Sequence, residues 1–296
     1  LNYHFYADDT QVYVNIPPGN TPAVKETLER MELCLQDVRS WMLSNKLKLN
    51  DSKTECILFA SKASHRILKP MDINITIGGN KIRPSSSVRN LGAMLDCEMS
   101  MEKQVNSVVR SAYYHLRRIS KIRCHLDRAA CTKAVLACVV SRLDYQNGLL
   151  GSISNRSLHR LQLVQNNAAR LITSTPSRSH ITPVLKDLHW LPIEQRIHYK
   201  HLLFMHKSIH HSNSPLYLQN MAIPTSSHST RQLRSSSSAI VTVPRTRKRI
   251  GDACFSTSGP KLWNSLPTAL RTQPNTNSFK KLLKTNLFNA AFKVAP

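Results

Sequence analysis

"HFYADDTQVYV", residues 4–14, sets two adjacent carboxylates, Asp8 and Asp9, between two runs of aromatic and β-branched residues. Such residues favour a pleated surface, and Asp tolerates the backbone angles of a tight reversal. The stretch therefore reads as a β-hairpin with the paired acids at its tip. They are either plain turn residues or groups held on a rigid support for chemistry. Working outward, "PPGN" at 17–20 breaks the strand, and Thr21 with Pro22 supplies an N-cap and a first-turn proline. Val24, Leu28, Met31, Leu35, Val38 and Trp41 then recur at spacings of three and four, giving 22–44 one apolar face suited to lie on a sheet. "TECILFA" at 54–60 reads as a buried strand, "INITIGGNKIRP" as a hairpin turning at Gly78, Gly79 and Asn80, and "SVRNLGAMLD" as a further strand. The fold class expected is α+β, with residues 1–99 as its mixed part.

From Ser100 the strand signals give way to helical spacing, predicting helices over 101–123, 128–142, 155–173 and 192–211, with caps at Ser154 and Pro192. This makes 100–221 an all-helical region. Residues 222–247, with "PTSSHSTRQLRSSSSA", are Ser-rich and basic and read as a linker. A small tail, 248–296, ends in an amphipathic helix near 277–292 that carries Phe279, Leu282, Leu283, Leu287 and Phe288.

Charge separates these parts. The chain of 296 residues has 41 % hydrophobic residues, enough for a core, and a net charge of +24. Residues 1–102 hold 12 basic and 12 acidic side chains, whereas 103–296 hold 29 and 5, which is the whole excess. A polyanion is the expected partner, nucleic acid first and an anionic membrane surface second. The longest apolar runs, such as "AVLACVV" at 134–140, are too short to span a bilayer, so no membrane partner is expected. Seven cysteines without a CxxC pair, and no secretory signal at the start, point to the nucleus or cytoplasm rather than secretion.

"FYADD" resembles the Tyr-x-Asp-Asp motif of reverse transcriptases, and "FYADDTQVYV" its form in non-LTR (LINE-type) retrotransposons. "WMLSNKLKLNDSKTECILFAS" at 41–61 is similar to the next polymerase motif of those elements, and "VRNLGAMLD" at 88–96 to the hairpin called the primer grip. Further on, "SRLDYQNGLL", "RLQLVQNNAARLI", "HITPVLKDLHWLPIEQRI", "SPLYLQNM" and "GPKLWNSLP" resemble the C-terminal region of the chicken-repeat and L2-like branch. The resemblance implies an incomplete reverse-transcriptase palm over 1–99, a thumb-like region after it and a small helical tail. It implies that Asp8 and Asp9 hold Mg²⁺ at a primer end and an incoming deoxynucleoside triphosphate, on an RNA template with a DNA primer or target. Tyr6 and Ala7 would form the floor beneath the primer terminus, and Leu91 and Gly92 would position the primer strand. Lys53, in the "LNxxKTE" position, is either a charge donor to departing pyrophosphate or a solvated loop lysine. The pattern also requires another aspartate on an earlier strand, and the chain begins at Leu1, just before the hairpin. A fragment that does not polymerise alone is therefore expected, with a catalytically dead nucleic-acid-binding module or a degraded, functionless copy as the alternatives.

Arg117, Arg118, Lys121 and Arg123 in "HLRRISKIRCHL" sit on a predicted helix where a polymerase thumb would track duplex backbone, a solvated face being the plain alternative. Arg245, Arg247, Lys248 and Arg249 in "PRTRKRIG" read equally as a nuclear localisation signal or a nucleic-acid arm. His201, His206 and His210 lack the ligand spacing of a zinc site and read as surface or interhelical groups, and Trp190 and Trp263 as packing anchors.

Overall fold

The computed structural model describes residues 1–50, 53–225, 239–246, 251–252 and 254–293. They form two compact units, 1–103 and 104–296.

In the first unit, β1 (Asn2–Tyr6) and β2 (Asp9–Tyr13) make the opening hairpin, and α1 (Thr21–Ser44) follows. The N-cap is Asn20, not Thr21: its Oδ1 accepts the Ala23 N–H at 3.2 Å, while Pro22 occupies the first turn. Then come β3 (Cys56–Ile57), α2 (Lys62–Leu68), β4 (Ile75–Ile77), β5 (Asn80–Ile82), β6 (Pro84–Ser85), β7 (Ser87–Asn90) and β8 (Ala93–Asp96). Among the described residues these strands pair as β1–β2, β3–β6, β4–β5 and β7–β8, only the β3–β6 pair being parallel. The strand expected at 54–60 shrinks to Cys56–Ile57, and Ala60 N–H instead donates to Cys97 O, with α2 following directly. Gly78 and Gly79 turn β4 into β5 with φ of +57° and +85°, the angles of the hairpin turn expected there.

The apolar face of α1 meets these strands. Met31 packs with Ile75 and Ile77, bordered by Leu28, Leu35, Val12, Val14, Cys56 and Ile82. The Glu32 carboxylate accepts Thr76 N–H at 2.6 Å, tying the helix to β4. Trp41, expected on the same face, stands 62 % exposed near the helix end. A short loop after β8 is organised by Asp96, which is buried and accepts the N–H groups of Glu98, Ser100 and Met101 at 3.2, 2.8 and 2.7 Å.

The second unit is helical: α3 (Glu102–Lys121), α4 (Arg128–Val135), α5 (Ser141–Asp144), α6 (Asn155–Thr173), α7 (Ile181–Asp187), α8 (Ile193–His210), α9 (Leu216–Gln219), α10 (Phe255–Asn264), α11 (Thr268–Arg271) and α12 (Thr276–Phe292). The helix expected at 128–142 is interrupted by a π turn, Leu136–Val140, between α4 and α5. Ser154 caps α6 as expected, its Oγ accepting Ser157 N–H at 3.2 Å.

The described ends of the stretch read as a linker, and the helical tail after it, pack into the core of this unit. Ala222 and Val241 are buried in one core with Leu191, Leu202, Met205, Trp263, Phe279 and Leu283. Pro224 bridges to Val241, whose N–H and C=O are both held by the Asn264 side chain. The apolar sides of α10 and α12 thus need α8 for burial, so the tail is not a separate body. Residues 226–238, the Ser-rich heart of that stretch, lie outside the described residues.

Candidate functional site

The hairpin register is set by Tyr6↔Asp9, His4↔Gln11 and Asn2↔Tyr13, leaving Ala7 and Asp8 as a two-residue turn. Ala7 takes φ +53°, a left-handed conformation that costs a non-glycine residue of order 1 kcal/mol. Asp8 and Asp9 are exposed, as is Tyr6. Successive strand residues point to opposite faces, so Asp9, Gln11 and Tyr13 share one face of β2. On that face the Gln11 side-chain amide donates to Asn90 Oδ1 at 2.8 Å, across 79 residues of sequence. Asn90 closes the β7–β8 hairpin, whose turn is Leu91–Gly92 with φ of +45° and +83°. The Asp-bearing hairpin and the Leu91–Gly92 turn, read as separate motifs, are therefore joined two residues from Asp9.

Lys53 is exposed, and among the described residues no ion pair joins it to Asp8 or Asp9. Nor, among those residues, does any third His, Cys, Asp or Glu gather with the two aspartates into a group able to hold a metal ion. Mg²⁺ demands near-octahedral oxygen ligation. A pair of exposed carboxylates does not by itself make a two-ion centre.

The predicted basic residues divide sharply. Arg117, Arg118 and Lys121 are exposed on α3, opposite the buried Val105, Ala112, Leu116 and Ile119. Arg123 is corrected: its Nε donates to Leu171 O at 2.8 Å, Nη1 to Leu126 O at 2.7 Å, and Nη2 to Ile172 O at 3.0 Å and Ser174 Oγ at 3.2 Å. It closes the C-terminus of α6, where a cation is favoured by the helix dipole, and four of its five N–H donors are already committed there. Arg245 is exposed, while Arg247, Lys248 and Arg249 lie outside the described residues. The sequence reading passed over Arg110 and Tyr114, exposed on the same side of α3 as Arg117. Helical spacing alone would have found them.

The C-terminal motifs hold structure. Gln162 Oε1 accepts Ile193 N–H at 2.9 Å at the start of α8, and Gln165, fully buried, donates to Leu191 O at 2.8 Å. These bonds join the glutamines of "RLQLVQNN" to "HWLPIEQRI". Trp263 is fully buried and donates its indole N–H to Ala239 O at 2.9 Å. The histidines serve as interhelical donors: Nε2 of His201, His206 and His210 lies 2.7, 2.8 and 2.9 Å from the carbonyls of Gly148, Gln273 and Arg271. His206 stacks on Phe279 at 4.1 Å, and its burial pushes the imidazole down to about 4, only partly offset by the Gln273 bond.

Comparison with known proteins gives one informative likeness. The chain is similar to the probable RNA-directed DNA polymerase from transposon BS of Drosophila melanogaster. The two are 25 % identical over 198 residues, which is 65 % of this chain and 20 % of the relative. The chain therefore spans about a fifth of that protein's length. No protein-family model matches the chain, and no solved structure does. Among the described residues no helix is long and apolar enough to cross a membrane.

Proposed function

We propose that the chain is part of the RNA-directed DNA polymerase of a non-LTR retrotransposon of the chicken-repeat and L2-like branch, retaining its contacts to RNA template and DNA primer. In this reading residues 1–99 are part of the palm and 100–221 a thumb-like region. Asp8 and Asp9 are two of the carboxylates that would hold Mg²⁺ beside an incoming deoxynucleoside triphosphate in a whole enzyme. The observation that carries it is the Gln11–Asn90 bond, because it puts an aspartate tip and a primer-grip-like turn against one another across 79 residues. The likeness to a transposon polymerase points the same way.

The second reading, a nucleic-acid-binding module without catalysis, is favoured by the incomplete acidic donor set among the described residues and by the five carboxylates of 104–296. Asp127 caps α4, Glu194 lies in the first turn of α8, and Asp144, Asp187 and Asp252 pair with Arg196, Arg128 and Lys261, so among the described residues none of the five pairs with the exposed cations of α3. Primer extension and RNA binding by the 296-residue chain separate the two readings. The expected result is RNA binding that weakens by about 0.7–0.9 log units per phosphate contact for each decade of salt, with no incorporation in Mg²⁺. Incorporation abolished by Asp8→Asn would restore catalysis to the chain, and absence of nucleic-acid binding at low salt would refute both readings.

A further inference from the structure

Around the α3 axis, at 100° per residue, Arg110, Tyr114, Arg117, Arg118 and Lys121 fall within about 100° of one another, and all five are exposed. The ends of this stripe are about 16 Å apart at 1.5 Å per residue. Tyr114 lies at its centre with 55 % of its surface exposed. The Arg118 guanidinium sits 5.6 Å from the ring centroid, and its Nη1 lies 3.4 Å from the Tyr114 hydroxyl. The His115 ring meets Tyr114 edge-on at 5.2 Å.

The core side of α3 is occupied by Val105, Ala112, Leu116 and Ile119, so the Tyr114 ring adds little to packing. Cations flank the stripe as well. Arg160 of α6 donates to Asn106 Oδ1 at 2.7 Å on one side, and Arg142 of α5 donates to Ser111 Oγ at 2.8 Å on the other. His115 registers this surplus: desolvation first, then the Arg142 and Arg118 charges, hold its imidazole below the ordinary value. A duplex would engage the cations alone, because its bases are already stacked. An exposed ring between cations adds binding only for a base whose π-face is free.

We propose that this face of α3 binds an unpaired nucleic-acid strand, Tyr114 stacking a base while Arg110, Arg117, Arg118 and Lys121 contact the phosphates to either side. The inference rests on the nucleic-acid reading above and adds the form of the ligand. It is tested on the full chain by fluorescence anisotropy, using a labelled strand of about a dozen nucleotides as RNA, as DNA and as the blunt duplex.

Tyr114→Ala is expected to weaken binding of both unpaired strands by about fivefold or more and the duplex by less than about twofold, while Tyr114→Phe binds as the parent does. Arg117→Gln is expected to weaken all ligands and to lower the salt slope by about one phosphate contact. An unchanged melting curve for Tyr114→Ala assigns its effect to binding. The proposal is overturned if Tyr114→Ala affects strand and duplex equally or neither, or if phosphatidylserine vesicles bind more tightly than either strand. Binding that ignores Tyr114 defeats this inference alone, whereas no binding to any nucleic acid defeats the reading beneath it.

Discussion

Replacing Arg123 by Met keeps much of the side-chain stem and removes the guanidinium that closes α6. Three carbonyls, of Leu126, Leu171 and Ile172, lose their charged donor, and Ser174 Oγ loses a partner. Hydrogen bonds from a charged group contribute roughly 1.5–3 kcal/mol each, but the site is only half-buried, and water reaches part of what is vacated. Allowing about 0.5 kcal/mol for the cation at the helix C-terminus, the net loss is expected to be about 2–4 kcal/mol. For a unit of this size that lowers Tm by about 4–16 °C, read by circular dichroism and checked by urea denaturation. Arg117→Met, on the open face of the neighbouring helix, is expected to change stability by no more than about 0.5 kcal/mol. RNA affinity measured well below both transitions should rank the variants in the opposite order. A stability loss under about 1 kcal/mol for Arg123→Met, or an affinity loss equal to that of Arg117→Met, would refute the assignment of Arg123 to helix closure.

Two further predictions concern buried polar groups. His206 is held neutral because its pKa in the folded chain, about 4, lies below the ordinary 6.5. The unfolded chain therefore binds the extra proton, and stability present above pH 6.5 is lost as pH falls toward 4. The loss is about 2 kcal/mol after discounting for relaxation, and His206→Leu should flatten that limb of a stability–pH curve. Asp96→Ala removes the acceptor for three loop N–H groups and frees Met99 and Met101 from φ of +55° and +59°. It should destabilise the first unit by about 3 kcal/mol and raise protease cleavage near 97–101; unchanged cleavage would show that the loop holds itself.

Local pattern carried the long elements because their signal is periodic. Val24, Leu28, Met31 and Leu35 announce α1, and Ser154 announces α6, through chemistry confined to one helical turn or face. The misses share a different cause. Arg123 looks like its neighbours Arg117 and Arg118 in sequence, and only the return of α6 some 48 residues later turns it inward. The "linker" at 222–247 is Ser-rich, yet Ala222 and Val241 are buried by Trp263 and Phe279, whose contribution no window around them reveals. The strand at 54–60 had the right composition but, apart from Cys56–Ile57, lacks a partner strand. For the candidate site, the tip residues could be read from their order, whereas the Gln11–Asn90 bond that relates them to Leu91–Gly92 belongs to tertiary structure alone. Tyr114 was within reach of a helical wheel, since an exposed aromatic between arginines is a one-face pattern.

The same Gln11–Asn90 bond has a consequence in time. A β-hairpin closes within microseconds, so the YADD tip can form almost as soon as its residues leave the ribosome. Its anchor lies 79 residues further on, and at a synthesis rate of 5–20 residues per second the wait is about 4–16 s. Through most of that interval the tip has neither Asn90 nor the β4–β5 pair beneath Val12, and Tyr3 and Phe5 are exposed on a strand whose partner among the described residues is β2. Nascent chains would thus pass through a stage in which this hairpin is sticky before it is held. Self-association during translation is an expected hazard of placing the tip so far ahead of its support.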